Sequence, residues 1–324
     1  MAQDKKIPNV RTGTNLVKIV VVGVGSVGSA TAYTLLLSGV VSEIVLIDIN
    51  KEKAEGESMD LNHAAPSTTR SRAGDYSDCA GAEIVIVTCG INQKHGQTRM
   101  DLAAKNAKIM QDIIPNVAKY APDTILLIAT NPVDVLTYVS YRASGFPLNR
   151  VIGSGTVLDT ARFKYILGEH FDIASESIDA CVVGEHGDSG VPVWSLTSID
   201  GLKLRDYCEK KNHNFDQDTF HKIFEQTRDA AYDIIKRKGY TSYGIAAGLL
   251  RIVKAILDDT NSTLTVSTVG DYYGVKQIAL SVPIKLNKTG AHQADELSLD
   301  EKETVLMKKS AGQIKSALRT LDLE

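Results

Sequence analysis

Apolar runs and helical stretches alternate along the first half of the chain. Val17 to Val22, Glu43 to Asp48, Glu83 to Thr88 and Thr124 to Thr130 are dense in Val, Ile and Leu, as strands buried on both faces must be. Their alternation with helical patterns predicts a parallel sheet covered on both sides. Between the third and fourth runs, Leu102, Ile109, Ile113 and Val117 recur near helical spacing, so Asp101 to Tyr120 is predicted to be an amphipathic helix with Pro115 as a candidate bend. After about Arg150 the pattern changes. Val191 to Ser198, Leu264 to Thr268 and Ile278 to Leu286 read as antiparallel strands, and Asp218 to Lys238, Tyr243 to Asp258 and Asp300 to Leu321 as long helices.

The first apolar run ends in Gly23-Val24-Gly25-Ser26-Val27-Gly28, and the second ends in Asp48. Gly23 suits a tight turn, Gly25 lets backbone approach a pyrophosphate, and Gly28 lets the following helix pack close on the strand. The amide end of that helix then faces the phosphates. Asp48, twenty positions after Gly28, suits the two ribose hydroxyls of NAD and repels a 2′-phosphate. Gly23, Gly25, Val27, Gly28 and Asp48 are therefore the expected cofactor-binding residues, with NAD favoured over NADP. The fold expected is α/β: a doubly wound parallel-sheet (Rossmann) NAD domain over residues 17–150, followed by an α+β substrate domain over 151–324. The loop Gly90 to Arg99 leaves the carboxyl end of a strand, where ligands sit in open α/β sheets.

The chain has 324 residues, 43% of them hydrophobic and 23% charged, which is enough for about two domains and a substantial core. No run reaches membrane-spanning length. A net charge of -3 without a basic block argues against nucleic-acid and anionic-lipid partners. Cys79, Cys89, Cys181 and Cys208 are widely spaced, with no Cys-x-x-Cys pair and no histidine at metal spacing, so reduced thiols and no metal site are expected. The first sixteen residues fit neither a secretory signal nor a transit peptide, and a cytoplasmic location is expected.

A bound nicotinamide needs a proton carrier and groups that orient a substrate beside it. Candidates fall in five segments: Asn92 to Arg99, Asn131-Pro132-Val133-Asp134, Leu158-Asp159-Thr160-Ala161-Arg162, Gly184-Glu185-His186-Gly187-Asp188-Ser189 and Lys238-Gly239-Tyr240-Thr241. In this order they resemble the L-lactate dehydrogenases of the lactate/malate dehydrogenase family, over nearly the whole chain. The resemblance implies that His186 is the proton donor and acceptor, that Asp159 orients it, and that Arg162 grips a substrate carboxylate. It implies that Arg99 polarises the carbonyl when its loop closes and that Asn131 holds substrate oxygen and the nicotinamide region. Each role suits the side chain: imidazole titrates near working pH, and a guanidinium fork matches a carboxylate where lysine does not. Spaced three residues apart on a helix, Asp159 and Arg162 project to one side.

Within the family, the residue at Gln93 reads the group on the reacting carbon, being arginine for a second carboxylate and glutamine for methyl. Glutamine implies lactate and pyruvate, because burying a carboxylate with no cation opposite costs roughly 3–5 kcal/mol. Thr241 is the implied opposite wall, limiting side-chain size. Malate dehydrogenase is the nearest rival, with Gln93 against it. An NAD-requiring glycosidase lacks its metal set here, and a non-catalytic NAD-binding relative had no need to keep Asp159, Arg162 and His186. Relatives activated by fructose 1,6-bisphosphate carry an arginine and a histidine where this chain has Lys164 and Asp179, so little activation is expected. Gln97 and His95 depart from the family loop without touching the chemistry. The family also implies a homotetramer, with residues 1–16 as an arm on a neighbouring subunit.

Overall fold

In a computed structural model, residues 16–65, 68–91 and 99–323 are described. The first half runs β1 (Lys18–Val22), α1 (Ser26–Ser38), β2 (Glu43–Ile47), α2 (Lys51–Ala64), β3 (Arg70–Ala73), β4 (Ile84–Val87), α3 (Arg99–Tyr120), β5 (Ile125–Ile128), α4 (Val133–Ser144), β6 (Val151–Gly153) and α5 (Val157–Phe171). These six strands lie parallel in the order β3-β2-β1-β4-β5-β6. This is a doubly wound sheet whose strand order reverses beside β1. The period of two explains the apolar runs. Ile19, Val21, Ile44, Leu46, Ile84 and Ile86 point to one face, against Leu35 and Leu36 of α1. Val20, Val22, Val45, Val85 and Val87 point to the other, against Met110 and Ile114 of α3 and Leu136 of α4. Pro115 is accommodated inside α3.

The second half contains β7 (Ile178–Asp179), β8 (Val182–Val183), β9 (Val191–Pro192), β10 (Ser198–Ile199), β11 (Leu202–Lys203), α6 (Leu204–Lys211), α7 (Gln217–Lys238), α8 (Tyr243–Leu257), β12 (Ser262–Tyr272), β13 (Val275–Asn287), β14 (Gly290–Gln293) and α9 (Glu301–Thr320). The three long helices agree with the expected ranges. The single strand expected over 191–198 is instead broken: β9 stops at Pro192, which has no amide to continue a ladder, and Trp194 to Leu196 curl into a 3₁₀ turn. That turn seats the Trp194 ring edge-on to Phe163 at 4.8 Å. β12 and β13 form a long antiparallel hairpin whose β12 pairs with β6, so the two halves share one sheet. The division expected at 150 falls just before β6, a strand still within the parallel array. α8 crosses back over the first half, where Leu249, Ile252 and Val253 join the core beneath α1. Among the described residues, no helix is long and apolar enough to cross a membrane.

Candidate active site

The carboxyl ends of β1, β4 and β5 converge on the glycine turn. Gly23 has φ +95°, and a Cβ there would lie 2.6 Å from the Cys89 backbone. Thr88 Oγ1 donates to Gly23 O at 2.7 Å, and Thr130 Oγ1 donates to Cys89 O at 2.7 Å, so the three strand ends are laced together. Gly28 is packed hard: a Cβ would come within 1.9 Å of Gly23 O. Gly25 differs, because it is exposed and a Cβ there would meet no atom of the chain within 4 Å. It also begins α1 without any side-chain cap, so the amide end of that helix is bare of its own chain. Val27 is half-buried in the first turn. Asp48 follows β2, where its Oδ2 accepts the Val24 N–H at 2.7 Å and its Oδ1 the Asn50 N–H at 2.9 Å. A bare helix N-terminus beside a half-buried carboxylate at the end of the second strand fits a dinucleotide.

This arrangement separates two glycine roles by experiment. Gly28→Ala is expected to lower the melting temperature by several degrees, since its Cβ collides with backbone and overpacking costs about 1–3 kcal/mol. Gly25→Ala is expected to leave melting unchanged while raising the Kd for NADH about tenfold or more, because the added methyl occupies only the approach to the helix end. Thermal melting and NADH fluorescence titration check both, and a Gly25→Ala chain that binds NADH like the parent would contradict the assignment.

The acid–base cluster sits on α5 and on the turn after β8. His186 Nδ1 and Asp159 Oδ2 are 2.5 Å apart, and Arg162 Nη1 lies 3.3 Å from Asp159 Oδ1, one helical turn along. All three side chains are mostly buried, at 22%, 15% and 14% exposure for His186, Asp159 and Arg162. Burial opposes the imidazolium, but the Asp159 carboxylate overrides it, with Asp134 adding and Arg162 subtracting. The His186 pKa is therefore raised above the ordinary histidine value. Burial likewise opposes ionisation of Asp159, and His186 followed by Arg162 outweighs it, holding the carboxyl below the usual range. Burial lowers the Arg162 pKa, against the pull of Asp159, without neutralising it. One nitrogen of the Arg162 fork reaches Asp159; the fork has further donors for a carboxylate.

Asn131 follows β5 with its side chain exposed, and its carbonyl accepts from Asn106 Nδ2 at 2.8 Å. Thr241 is half-buried in the turn before α8, where a Cβ at Gly244 would lie 2.8 Å from Leu158, the neighbour of Asp159. Among the described residues, no hydrogen bond joins Thr241 to His186, Asp159 or Arg162. Gln93, His95 and Gln97 lie outside the described residues, as do the side chain of Arg99 and the segment 1–15. Lys164 is half-buried on α5 and Asp179 exposed on β7. The four cysteines form no disulfide, and burial pushes the Cys79, Cys89 and Cys181 thiols up to about 12. Among the described residues, no cluster of His, Cys, Asp and Glu is grouped to hold a metal ion.

Sequence reasoning left two groups without a role. Asn106 ties the Ile91 N–H, at 2.9 Å, to Asn131. Asp134 accepts the main-chain N–H of His186 at 2.8 Å. Its signal was a single acid inside the apolar opening of α4, Val-Asp-Val-Leu, which reads as an ordinary helix-start carboxylate. Asp134 thus ties the start of α4 to the turn that carries His186.

Residues 17–153 match the family profile described as "lactate/malate dehydrogenase, NAD binding domain", and 156–322 that of the "alpha/beta C-terminal domain" of the same family. A "Probable L-lactate dehydrogenase" of Schizosaccharomyces pombe is 52% identical over 309 residues, covering 95% of this chain and 94% of its own. An "L-lactate dehydrogenase" of Acetivibrio thermocellus is 48% identical, covering 94% and 98% respectively. Among solved structures, a lactate dehydrogenase from a Medee basin deep-sea metagenome library superposes with a TM-score of 0.91 at 40% identity, over 95% of this chain and 100% of that one. The minor L-lactate dehydrogenase of Enterococcus mundtii does so with the same score at 39% identity, over 95% and 99%.

Proposed function

The chain belongs to the lactate/malate dehydrogenase family, and on that premise we propose that this NAD-dependent oxidoreductase interconverts (S)-lactate and pyruvate. The observation that carries the residue assignment is the buried His186, Asp159 and Arg162 cluster beside the carboxyl ends of the parallel strands. NAD, when bound, supplies the hydride acceptor for lactate oxidation and, reduced, the donor for pyruvate reduction. Gly23, Gly25, Val27, Gly28 and Asp48 hold it, with Asn131 beside the nicotinamide.

Arg162 binds the substrate carboxylate through parallel N–H bonds and so fixes which end of the molecule faces the imidazole. Asp159 binds Nδ1–H, which leaves Nε2 as the nitrogen that takes the hydroxyl proton during oxidation and returns it during reduction. Asp159 also neutralises the imidazolium while it exists. Arg99, the first residue of α3, opposes the charge that develops on the carbonyl oxygen. Gln93 and Thr241 bound the methyl side of the pocket.

Arg162→Lys is expected to raise the KM for pyruvate roughly 100-fold with NADH affinity unchanged, since one of two charge-assisted bonds, each about 1.5–3 kcal/mol, is lost together with the planar fit. Steady-state kinetics beside NADH titration checks it, and an unchanged KM would remove Arg162 from the carboxylate site. Assembly and location follow the same reading: a homotetramer in the cytoplasm, with little activation by fructose 1,6-bisphosphate because Asp179 opposes phosphate. Residues 17–150 carry the cofactor and 151–324 the proton chemistry.

A further inference from the structure

Beneath the His186 turn lies a second carboxylate with no task in the reaction as described. Asp134, in the first turn of α4, is 2% exposed. Its Oδ2 accepts the His186 main-chain N–H at 2.8 Å, and its Oδ1 accepts the Ser267 hydroxyl at 2.6 Å and the Ser281 hydroxyl at 3.2 Å. The three donors come from the turn after β8, from β12 and from β13. An ionised carboxylate can accept from all three, having no donor of its own.

Burial pushes the Asp134 carboxyl up to about 6, against the Ser267 and His186 hydrogen bonds. The titratable and charged groups facing the imidazole among the described residues are Asp159 and Arg162 from α5 and Asp134 from α4, with Glu185 beside it in the chain. The ring thus has one carboxylate at Nδ1 and another behind its main chain. If joining α4 to the hairpin were the only requirement, a neutral amide would serve at lower desolvation cost.

The geometry points to Asp134 as a positioning residue for proton transfer: it pins the backbone of the His186 turn and adds a second negative charge behind the imidazole, favouring the imidazolium. The inference rests on His186 as the proton carrier. Asp134→Asn keeps an oxygen for the His186 N–H and removes the charge, while its NH2 replaces the oxygen that accepted the two hydroxyls and donates to a serine oxygen instead. Ser267→Ala leaves the carboxylate but withdraws a donor, so it ionises less readily; Ser267 has no bond to His186.

The test is the pH profile of kcat/KM for pyruvate at saturating NADH. In the parent, activity falls as pH rises through the His186 pKa, because reduction needs the proton. In Asp134→Asn that limb is expected to move down by about half a unit to one unit, with kcat about tenfold lower and melting and NADH affinity unchanged. Ser267→Ala is expected to move it the same way by less, and it decides the matter if Asp134→Asn does not fold. Folded variants whose limb coincides with the parent's overturn the inference, including the case where activity drops without a shift. A parent chain that does not oxidise NADH with pyruvate overturns the proton-carrier reading instead.

Discussion

Replacing His186 by alanine is expected to lower kcat for pyruvate reduction roughly 10⁴-fold while the Kd for NADH stays within about twofold. Among the described residues its side chain hydrogen-bonds to Asp159, and it lies on the turn after β8, a different element from the glycine turn between β1 and α1. Its loss therefore removes the proton path and leaves Asp159 facing Arg162 alone, without disturbing β1 or α1. The pH behaviour follows from the same pair. Because Asp159 raises the His186 pKa, reduction should persist to higher pH than for an ordinary imidazole and fall through the raised value, whereas lactate oxidation, which needs the neutral ring, should rise through it. Stopped-flow NADH oxidation and a fluorescence titration measure both quantities, and a rate in the alanine variant within tenfold of the parent would remove His186 from the mechanism.

Replacing Gln93 by arginine is expected to swing the ratio of kcat/KM for pyruvate over oxaloacetate by about a thousandfold toward oxaloacetate. The glutamine offers no charge to a second carboxylate, and enclosing one unpaired costs roughly 3–5 kcal/mol. Arginine supplies the missing fork, and it then stands unpaired against a methyl group. Parallel kinetics on the two substrates reads the swing directly, and a ratio that does not move would mean that residue 93 does not line the pocket.

Most of the parallel sheet was legible because a strand buried on both faces has no choice of residue type, as Ile84–Val87 and Ile125–Ile128 illustrate. The edge strand β3, Arg-Ser-Arg-Ala, carries no such signal. One side of it meets solvent, and its Arg72 is spent on Glu43 at 2.7 Å and Asp78 at 2.8 Å. The two-residue strands β7 to β11 are too short to show a period at all, and Pro192 hides inside an apolar run that looks continuous. At the site, the spacing of Asp159 and Arg162 declared a shared helix face, and the glycines declared a close backbone turn. Their meeting with His186, 27 positions beyond Asp159, came from the family likeness, since no local pattern encodes a contact across two elements. Asp134 was illegible for the same reason: its partners Ser267 and Ser281 lie 133 and 147 residues away, on a hairpin whose position only the folded sheet defines.

A buried imidazole, oriented by Asp159 and faced by the Arg162 guanidinium, is expected to reduce a small monocarboxylate with NADH. Loss of the NADH absorbance band on adding pyruvate, measured beside oxaloacetate with the purified full chain, addresses it most directly. Rapid oxidation with pyruvate, at a kcat/KM on the order of a thousandfold above that for oxaloacetate, is the expected result. Equal efficiency on the two, or turnover with oxaloacetate alone, would contradict it.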